Sequence, residues 1–355
     1  CPTHEVTRNE RHQPWGHARE DVAAARSAAG FGGGAAAESA YACATCAACT
    51  VPCEVDGVET PDLVWAVRAT VWRAGSAPTA AAEAVARAAA GLVLATEDPP
   101  GWIDPAPTMA ALAGLATAGA RLLLVPGCGA LGRRPAAAVA AGRALAALGA
   151  PFRVEHEHRC CGAIARAAGD GEGARRAAGA VVDAARAAGV ETIAVQSPSC
   201  AAHLSREAGG VRVAPFATVV RDLVEGAGGT GAAAGGDAAR RTAYHDPCML
   251  ARHLGVTAAP REALRALGAG DIAELEHRGP ATRCSGRGGL LAATNPRIAR
   301  GYLDLLVADV RASGATRLVT GCATCAGVLE PELDGVEVQE LAEAVMDAVH
   351  RQGVA

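Results

Sequence analysis

Lysine is absent from this chain: all 33 basic residues are arginine, against 37 acidic ones, for a net charge of −4. With alanine abundant and 43 glycines, this reads as genome composition bias and not as chemistry. The acidic balance offers no basic stripe, which excludes nucleic acid as an expected partner. Long apolar runs are missing too. Leu122–Val125 is typical, far below the ~20 residues that cross a bilayer, so no transmembrane segment is expected. No secretory signal opens the sequence. No Gly-rich nucleotide fingerprint follows a first strand, which places any flavin on another polypeptide.

Cysteine, by contrast, is plentiful, with thirteen residues that all fall in spaced groups. At about 4% of the chain it stays below the level of a disulfide-stapled scaffold. In a reducing cytoplasm such cysteines are metal ligands or redox thiols. The expected location is therefore cytoplasmic, with peripheral docking at the inner face of the cell membrane. At 355 residues the chain holds two or three domains.

Residues 1–118 read as a loop-rich region and a helical connector, with a Gly/Ala stretch at Gly30–Ala37. Pro61 opens a helix over 62–74, where Leu63, Val64, Val67 and Val71 recur at helical spacing. Trp65 and Trp72 on that helix read as packing residues. Residues 80–90 form a second helix, and Pro99–Pro107 a proline-broken connector.

From 119 to 224 short strands alternate with helices: strands at 121–125, 152–155 and 192–195, helices at 135–148 and 173–188. Residues 225–240 are a Gly/Ala linker. From 241 to 355 the pattern returns, with strands at 242–245, 272–275 and 318–320 and helices near 260–267 and at 296–312. Asn295-Pro296 stands at the start of the last helix. Cys128, Cys160 and Cys200 repeat as Cys248, Cys284 and Cys322 at offsets of 120, 124 and 122 residues. This is a domain duplication. Every group follows the end of an expected strand, the edge where α/β sheets bind ligands.

Cys43, Cys46, Cys49 and Cys53 form a C-x2-C-x2-C-x3-C run, a ferredoxin signature for a [4Fe–4S] cluster. Zinc sites instead set two pairs of ligands far apart. In two-cluster ferredoxins the fourth cysteine serves the other cluster. Cys1-Pro2 then reads as the end of an earlier run, so that Cys1 joins Cys43, Cys46 and Cys49 around one cubane. Cys53 would serve a second cluster whose other ligands lie upstream. The competing assignment puts Cys43, Cys46, Cys49 and Cys53 around one cluster.

The stretches Cys128…Cys160-Cys161-Gly162…Cys200-x2-His203 and Cys248…Cys284-Ser285-Gly286…Cys322-x2-Cys325 resemble the CCG cysteine-rich domain. So do Tyr244-His245-Asp246-Pro247-Cys248-Met249-Leu250-Ala251-Arg252-His253 and the Gly-rich turn Gly286-Arg287-Gly288-Gly289. The segment from Cys1 through Pro14-Trp15-Gly16 to Cys43 resembles the family's link between two ferredoxin runs. This domain occurs in tandem in heterodisulfide reductase subunits and in the iron–sulfur subunits of glycolate and lactate oxidation systems and of anaerobic glycerol-3-phosphate dehydrogenase. The resemblance implies an α/β fold, with an N-terminal ferredoxin-like [4Fe–4S] helical and loop region followed by two duplicated CCG domains.

The resemblance also implies metal ligands at Cys128, Cys160, Cys161, Cys200, Cys248, Cys284, Cys322 and Cys325. They would hold either a noncubane [4Fe–4S] cluster with five thiolates or zinc. The chain departs from that pattern at His203, which replaces a cysteine as ligand or as a polar helix-start residue, and at Ser285. Four thiolates per site remain, enough for a cubane or for zinc. His156 and His158 are expected to line the approach to Cys160. His245 and His253 flank Cys248, to bond sulfur, relay protons or simply pack. Arg287 offers an anion contact or only a tight turn.

The implied function is an iron–sulfur electron-transfer subunit of an oxidoreductase. It would relay electrons between an FAD-linked dehydrogenase of a 2-hydroxy acid such as glycolate or lactate and a quinone or other acceptor. Two alternatives are a disulfide-reducing catalytic subunit and an electron carrier whose CCG sites hold structural zinc.

Overall fold

The computed structural model describes residues 1–14, 16, 19, 35–54, 59–97, 100–155, 157–226, 240–269 and 271–351. Trp15, Gly30–Gly34, His156 and the linker body 227–239 lie outside the described residues. The N-terminal region is more helical than its loop-like composition suggests. Helices Pro2–Thr7 and Ala35–Tyr41 flank the cysteine loop, which helices Thr60–Arg73 and Thr79–Ala89 follow. In Thr60–Arg73, Pro61 sits in the first turn and Val64, Val67 and Val71 face the core as expected from their spacing, whereas Leu63, expected with them, is 45% exposed. The segment expected as a broken connector is instead an antiparallel hairpin of β1 (Val93–Glu97) and β2 (Pro100–Ile103), followed by helix Ala106–Ala113.

Two small parallel sheets carry the rest. β3 (Leu122–Val125), β4 (Thr192–Val195) and β5 (Arg212–Pro215) run in the order β3-β4-β5, and Arg153 bridges to the free edge of β3 at Leu123. β6 (Thr242–His245), β7 (Ala273–Glu274), β8 (Arg317–Thr320) and β9 (Glu337–Glu340) run in the order β7-β6-β8-β9. Bridge 153, β3, β4 and β5 thus repeat as β7, β6, β8 and β9. The duplication read from cysteine spacing is a duplication of topology. Residues 152–155 form only that single bridge and no full strand.

Strand alternation sets how the halves meet, because neighbouring side chains point to opposite faces. Leu123, Val125, Ile193 and Val195 face helix Gly171–Ala187, while Leu124, Ala194 and Ala214 face a core shared with Tyr244 and Val319 of the second half. On the outer side of the second sheet, Ala243, Leu318 and Val338 pack on helix Pro296–Ala312. The C-terminal helix Leu341–Arg351 lies on helix Pro135–Ala147 of the first half. Burial on both faces is what such short runs of Leu, Ile, Val and Ala require. Helix Phe216–Gly226 runs into the start of the expected linker.

Candidate metal centres

The sheets deliver cysteines from the carboxyl ends of their strands. After β3, Cys128 opens helix Cys128–Arg133; after β4, Cys200 lies in the first turn of Pro198–Glu207. Cys160 and Cys161 enter from the edge beyond Arg153. The glycine after them has no freedom to change: Gly162 has φ +90°, and an added Cβ would strike the Ala174 carbonyl. Its counterpart Gly286 has φ +77° and faces the Ala299 carbonyl in the same way.

In the first site all four thiols converge. The Cys160 thiol is drawn down to about 3 by S–H donation from Cys128 and then Cys161. Cys128 is pushed well up by its bond to Cys160 and by burial, and Cys161 by bonds to Cys160 and Cys200 and by burial. His158 Nε2 stands 3.5 Å from Cys128 Sγ, in the approach expected of it.

The second site repeats this. Cys248 and Cys284 are 3.7 Å apart, sulfur to sulfur. Cys322 caps helix Ala323–Leu329, is lowered first by the Cys325 thiol, and accepts from the Cys325 amide at 3.4 Å. Ser285 Oγ lies 3.3 Å from Cys325 Sγ. The residue replacing the paired cysteine therefore still reaches the site.

A buried carboxylate supports this second site. Asp246, two residues before Cys248, takes a bidentate bond from Arg261 (2.7 and 2.8 Å) and accepts the Gly279 amide at 2.7 Å. It thereby tethers the segment that brings in Cys284. His245 is buried and its pKa is lowered by desolvation, and its ring spans Thr320 Oγ1 and the Arg283 carbonyl, both at 3.0 Å. His253 bonds the Thr45 carbonyl at 2.9 Å. Among the described residues, neither ring bonds a sulfur.

The N-terminal cysteine loop docks onto this second site. Cys46 donates its S–H to Cys284 and packs with Cys248, Ala299 and Tyr302. Arg252 Nε holds the Cys46 carbonyl at 2.5 Å. Thr45 and Ala47 have φ of 49° and 58°, a left-handed strain rare for a β-branched residue, which curls the loop between its cysteines. Gly288 and Gly289 lie against the Ala44 and Cys43 carbonyls, too close for a Cβ. The glycines of that turn are explained by close backbone approach. Cys1 is exposed, with its thiol on the His12 carbonyl at 3.2 Å; burial pushes the Cys49 thiol up, and the Cys1 amino group only partly opposes this. Cys53 is exposed.

His203 sits one turn after Cys200, but its Nε2 meets the Ala174 carbonyl at 3.3 Å and its buried Nδ1 has no partner. Among the described residues its ring bonds no thiol. It lines a cavity of about 130 Å³ between the halves, together with Arg166, Arg206, Arg287, His253 and Trp65. Among the described residues no carboxylate lines this cavity, but Asp62 beside it pairs with Arg166 and Arg206 at 3.7 and 3.5 Å. Trp65 is more than packing, since Arg166 and Arg206 lie over its ring at 4.1 and 5.2 Å.

Thiols pushed up to about 12 (Cys43, Cys284) or well above the usual thiol range (Cys46, Cys161) cannot all ionise on their own, because burial and neighbouring sulfur oppose it. A bound metal supplies the missing positive charge and deprotonates such thiols outright. Convergent soft donors fit an iron–sulfur group or zinc. The sequence missed Arg68, Asp246 and Arg261 as parts of these centres. A charged residue at position 68, inside the Val64/Val67/Val71 stripe, was the available signal for the first.

The family model for the cysteine-rich domain CCG matches residues 122–205 and again 242–330, which take in β3 and β4, then β6, β7 and β8, and the cysteines of both halves. A probable membrane-anchored ferredoxin of Chromohalobacter salexigens is 29% identical over 335 residues, 88% of this chain and 48% of that protein. A polypeptide of the dihydromethanophenazine:CoB–CoM heterodisulfide reductase of Methanosarcina mazei is 35% identical over 106 residues, 30% of this chain and 26% of that one. A polypeptide of the CoM/CoB fumarate reductase of Methanothermobacter marburgensis is 32% identical over 85 residues, 24% of this chain and 17% of that one. The chain spans about half the length of the first of these relatives and less of the others. No helix among the described residues is long and apolar enough to cross a membrane. With two matched domains, a duplicated topology and the thiols brought together in each half, the chain belongs to the CCG cysteine-rich family of iron–sulfur oxidoreductases.

Proposed function

We propose that this chain is the iron–sulfur electron-transfer subunit of a modular oxidoreductase. It would connect an FAD-linked dehydrogenase of a 2-hydroxy acid, such as glycolate or lactate, to a quinone or other acceptor, as a cytoplasmic protein docking peripherally on the membrane. One observation carries the reading: Cys46 of the N-terminal run touches Cys284, which touches Cys248. Donors of a ferredoxin-like centre and of the second CCG site are thus in direct contact, with no insulating layer between them. An iron–sulfur group supplies one-electron chemistry that no side chain of this protein offers.

Cys43, Cys46 and Cys49, with Cys1 as the fourth donor, would hold one [4Fe–4S] group. Cys128, Cys160, Cys161 and Cys200 would hold the second group, and Cys248, Cys284, Cys322 and Cys325 the third. Ser285 supplies an oxygen beside Cys325. Anaerobic metal analysis tests the assignment. About eight or more irons per chain, with redox-active signals, support relay through the CCG sites. About four irons, with zinc making up the rest, would assign the CCG sites a structural role.

A second reading, direct reduction of a disulfide, is favoured by the cavity between the halves, where three arginines face the offsetting carboxylate of Asp62. Its walls come from residues next to Cys161, Cys200, Cys248 and the Cys284–Ser285 turn. Turnover of a small anionic disulfide by the iron-loaded chain with an artificial reductant would establish it. Electron transfer without turnover favours the relay.

A further inference from the structure

Arg68 stands in the middle of helix Thr60–Arg73 and is completely buried. All five of its N–H bonds are used, and each goes to a backbone carbonyl. Nε and Nη2 reach Ala40 at 3.1 and 2.8 Å, and Nη2 also reaches Cys43 at 2.7 Å. Nη1 reaches Ala167 of the first CCG half at 2.6 Å and Gly289 of the second at 2.7 Å. The guanidinium lies 4.8 Å from the centre of the Tyr41 ring.

Among the described residues no carboxylate pairs with it. Carbonyls satisfy its hydrogens but not its charge. A guanidinium does not deprotonate in a protein, and a buried cation without a counter-ion is strongly disfavoured. The ionisable groups that act on it are Cys43 and Tyr41, and Tyr41 is held in its neutral form by burial. The remaining source of negative charge is the cysteine loop. An iron–sulfur group bound by four thiolates carries net negative charge, and its reduction potential depends on net charge and surroundings.

We propose that Arg68 is the resident counter-charge of the centre built on Cys43, Cys46 and Cys49, and raises its reduction potential. The inference rests on the reading that this run holds an iron–sulfur group. Arg68 favours whichever form of the centre is more negative, namely the reduced one. Because its fork also grips Ala167 and Gly289, the charge is in place only when the N-terminal loop and both CCG halves are docked together.

The test is redox potentiometry by EPR on the iron-loaded full chain, for wild type, Arg68→Lys, Arg68→Gln and Arg68→Met, with iron counted in each. Arg68→Lys keeps the charge and is expected to hold its iron and stay near the wild-type potential. The neutral variants are expected to lose at least tenfold in the reduced-to-oxidised ratio at a fixed ambient potential, about 59 mV for one electron. If the neutral variants lose iron while Arg68→Lys retains it, charge-dependent retention supports the same role. Neutral variants at the wild-type potential would overturn it, as would all three variants failing alike, since Arg68 would then be only a clamp. Wild type with no iron on this run would instead refute the functional reading beneath it.

Discussion

Arg261→Met probes the second CCG site through its support and not through its thiols. Asp246 is only 1% exposed, and Arg261 10%. Arg261 makes two bonds to Asp246, two to Glu274 at 2.7 and 2.8 Å, and one to the Thr257 carbonyl at 2.8 Å. Methionine preserves the packing over the Tyr244 ring but leaves Asp246 as a buried carboxylate held by little beyond the Gly279 amide. Breaking a buried pair from one side costs about 3–5 kcal/mol. In a chain of this size that lowers the melting midpoint by about 4–7 °C.

Arg300 is the built-in control. It pairs with Asp304 and Glu332, but its side chain is 50% exposed. Such pairs contribute about 0.2–1 kcal/mol, so Arg300→Met should move the midpoint by a few degrees at most. The double variant Arg261→Met/Asp246→Leu should recover about half of the loss, since replacing both partners of a buried pair is itself close to neutral. Its residual deficit is about 1–3 kcal/mol for the stranded Gly279 amide. Thermal denaturation by circular dichroism reads all of these. A midpoint for Arg261→Met no lower than that of Arg300→Met would refute the argument that Asp246 needs a charge partner.

Single residues carry three further predictions. Burial pushes Glu340 up to about 8, only partly offset by the Ala342 amide at 2.7 Å and Gln196 at 3.0 Å. A folded-state pKa above the ordinary carboxyl value stabilises fully below pH ~4.5 and loses that contribution as pH rises to 8, by about 1.4 kcal/mol per unit. Urea titrations at pH 6, 7 and 8 should show this slope in wild type and not in Glu340→Gln. Gly286→Ala should destabilise by about 1–3 kcal/mol, through its positive φ and the Ala299 carbonyl, and should lower the metal content of the second site more than that of the first. Ser285→Cys places a fifth thiol beside Cys325 and should alter the absorption and EPR spectrum of the iron-loaded protein without lowering its urea midpoint.

Much of the framework was legible in the residues because it is local. Thr192–Val195 and Thr242–His245 have the bounds expected from short β-branched and apolar runs between turn residues, and Pro296–Ala312 those of a proline-led helix. At its head Asn295 stands in the capping position, yet its side chain donates to the Tyr41 carbonyl at 2.9 Å instead of capping. The hairpin of β1 and β2 was hidden because Pro99-Pro100-Gly101 reads as a break. Proline is tolerated there because the ribbon has only two strands, both of them edges.

Cysteine spacing placed each thiol group at a strand end, but it could not show that Cys46 lands on Cys284. That contact depends on Gly288 and Gly289 admitting the cysteine loop, which is tertiary packing. The same holds for Arg68, whose charge within an apolar stripe signals a buried role but not which carbonyls it grips.

The central claim is that the N-terminal cysteine run and the second CCG site form one continuous electron path through Cys46 and Cys284. EPR of the partly reduced, iron-loaded full chain tests it most directly. The account predicts spin–spin broadening between two paramagnetic centres, abolished in Cys284→Ser while the signal of the N-terminal centre survives. A single unbroadened signal, the same in wild type and Cys284→Ser and accompanied by zinc in the CCG sites, would contradict it.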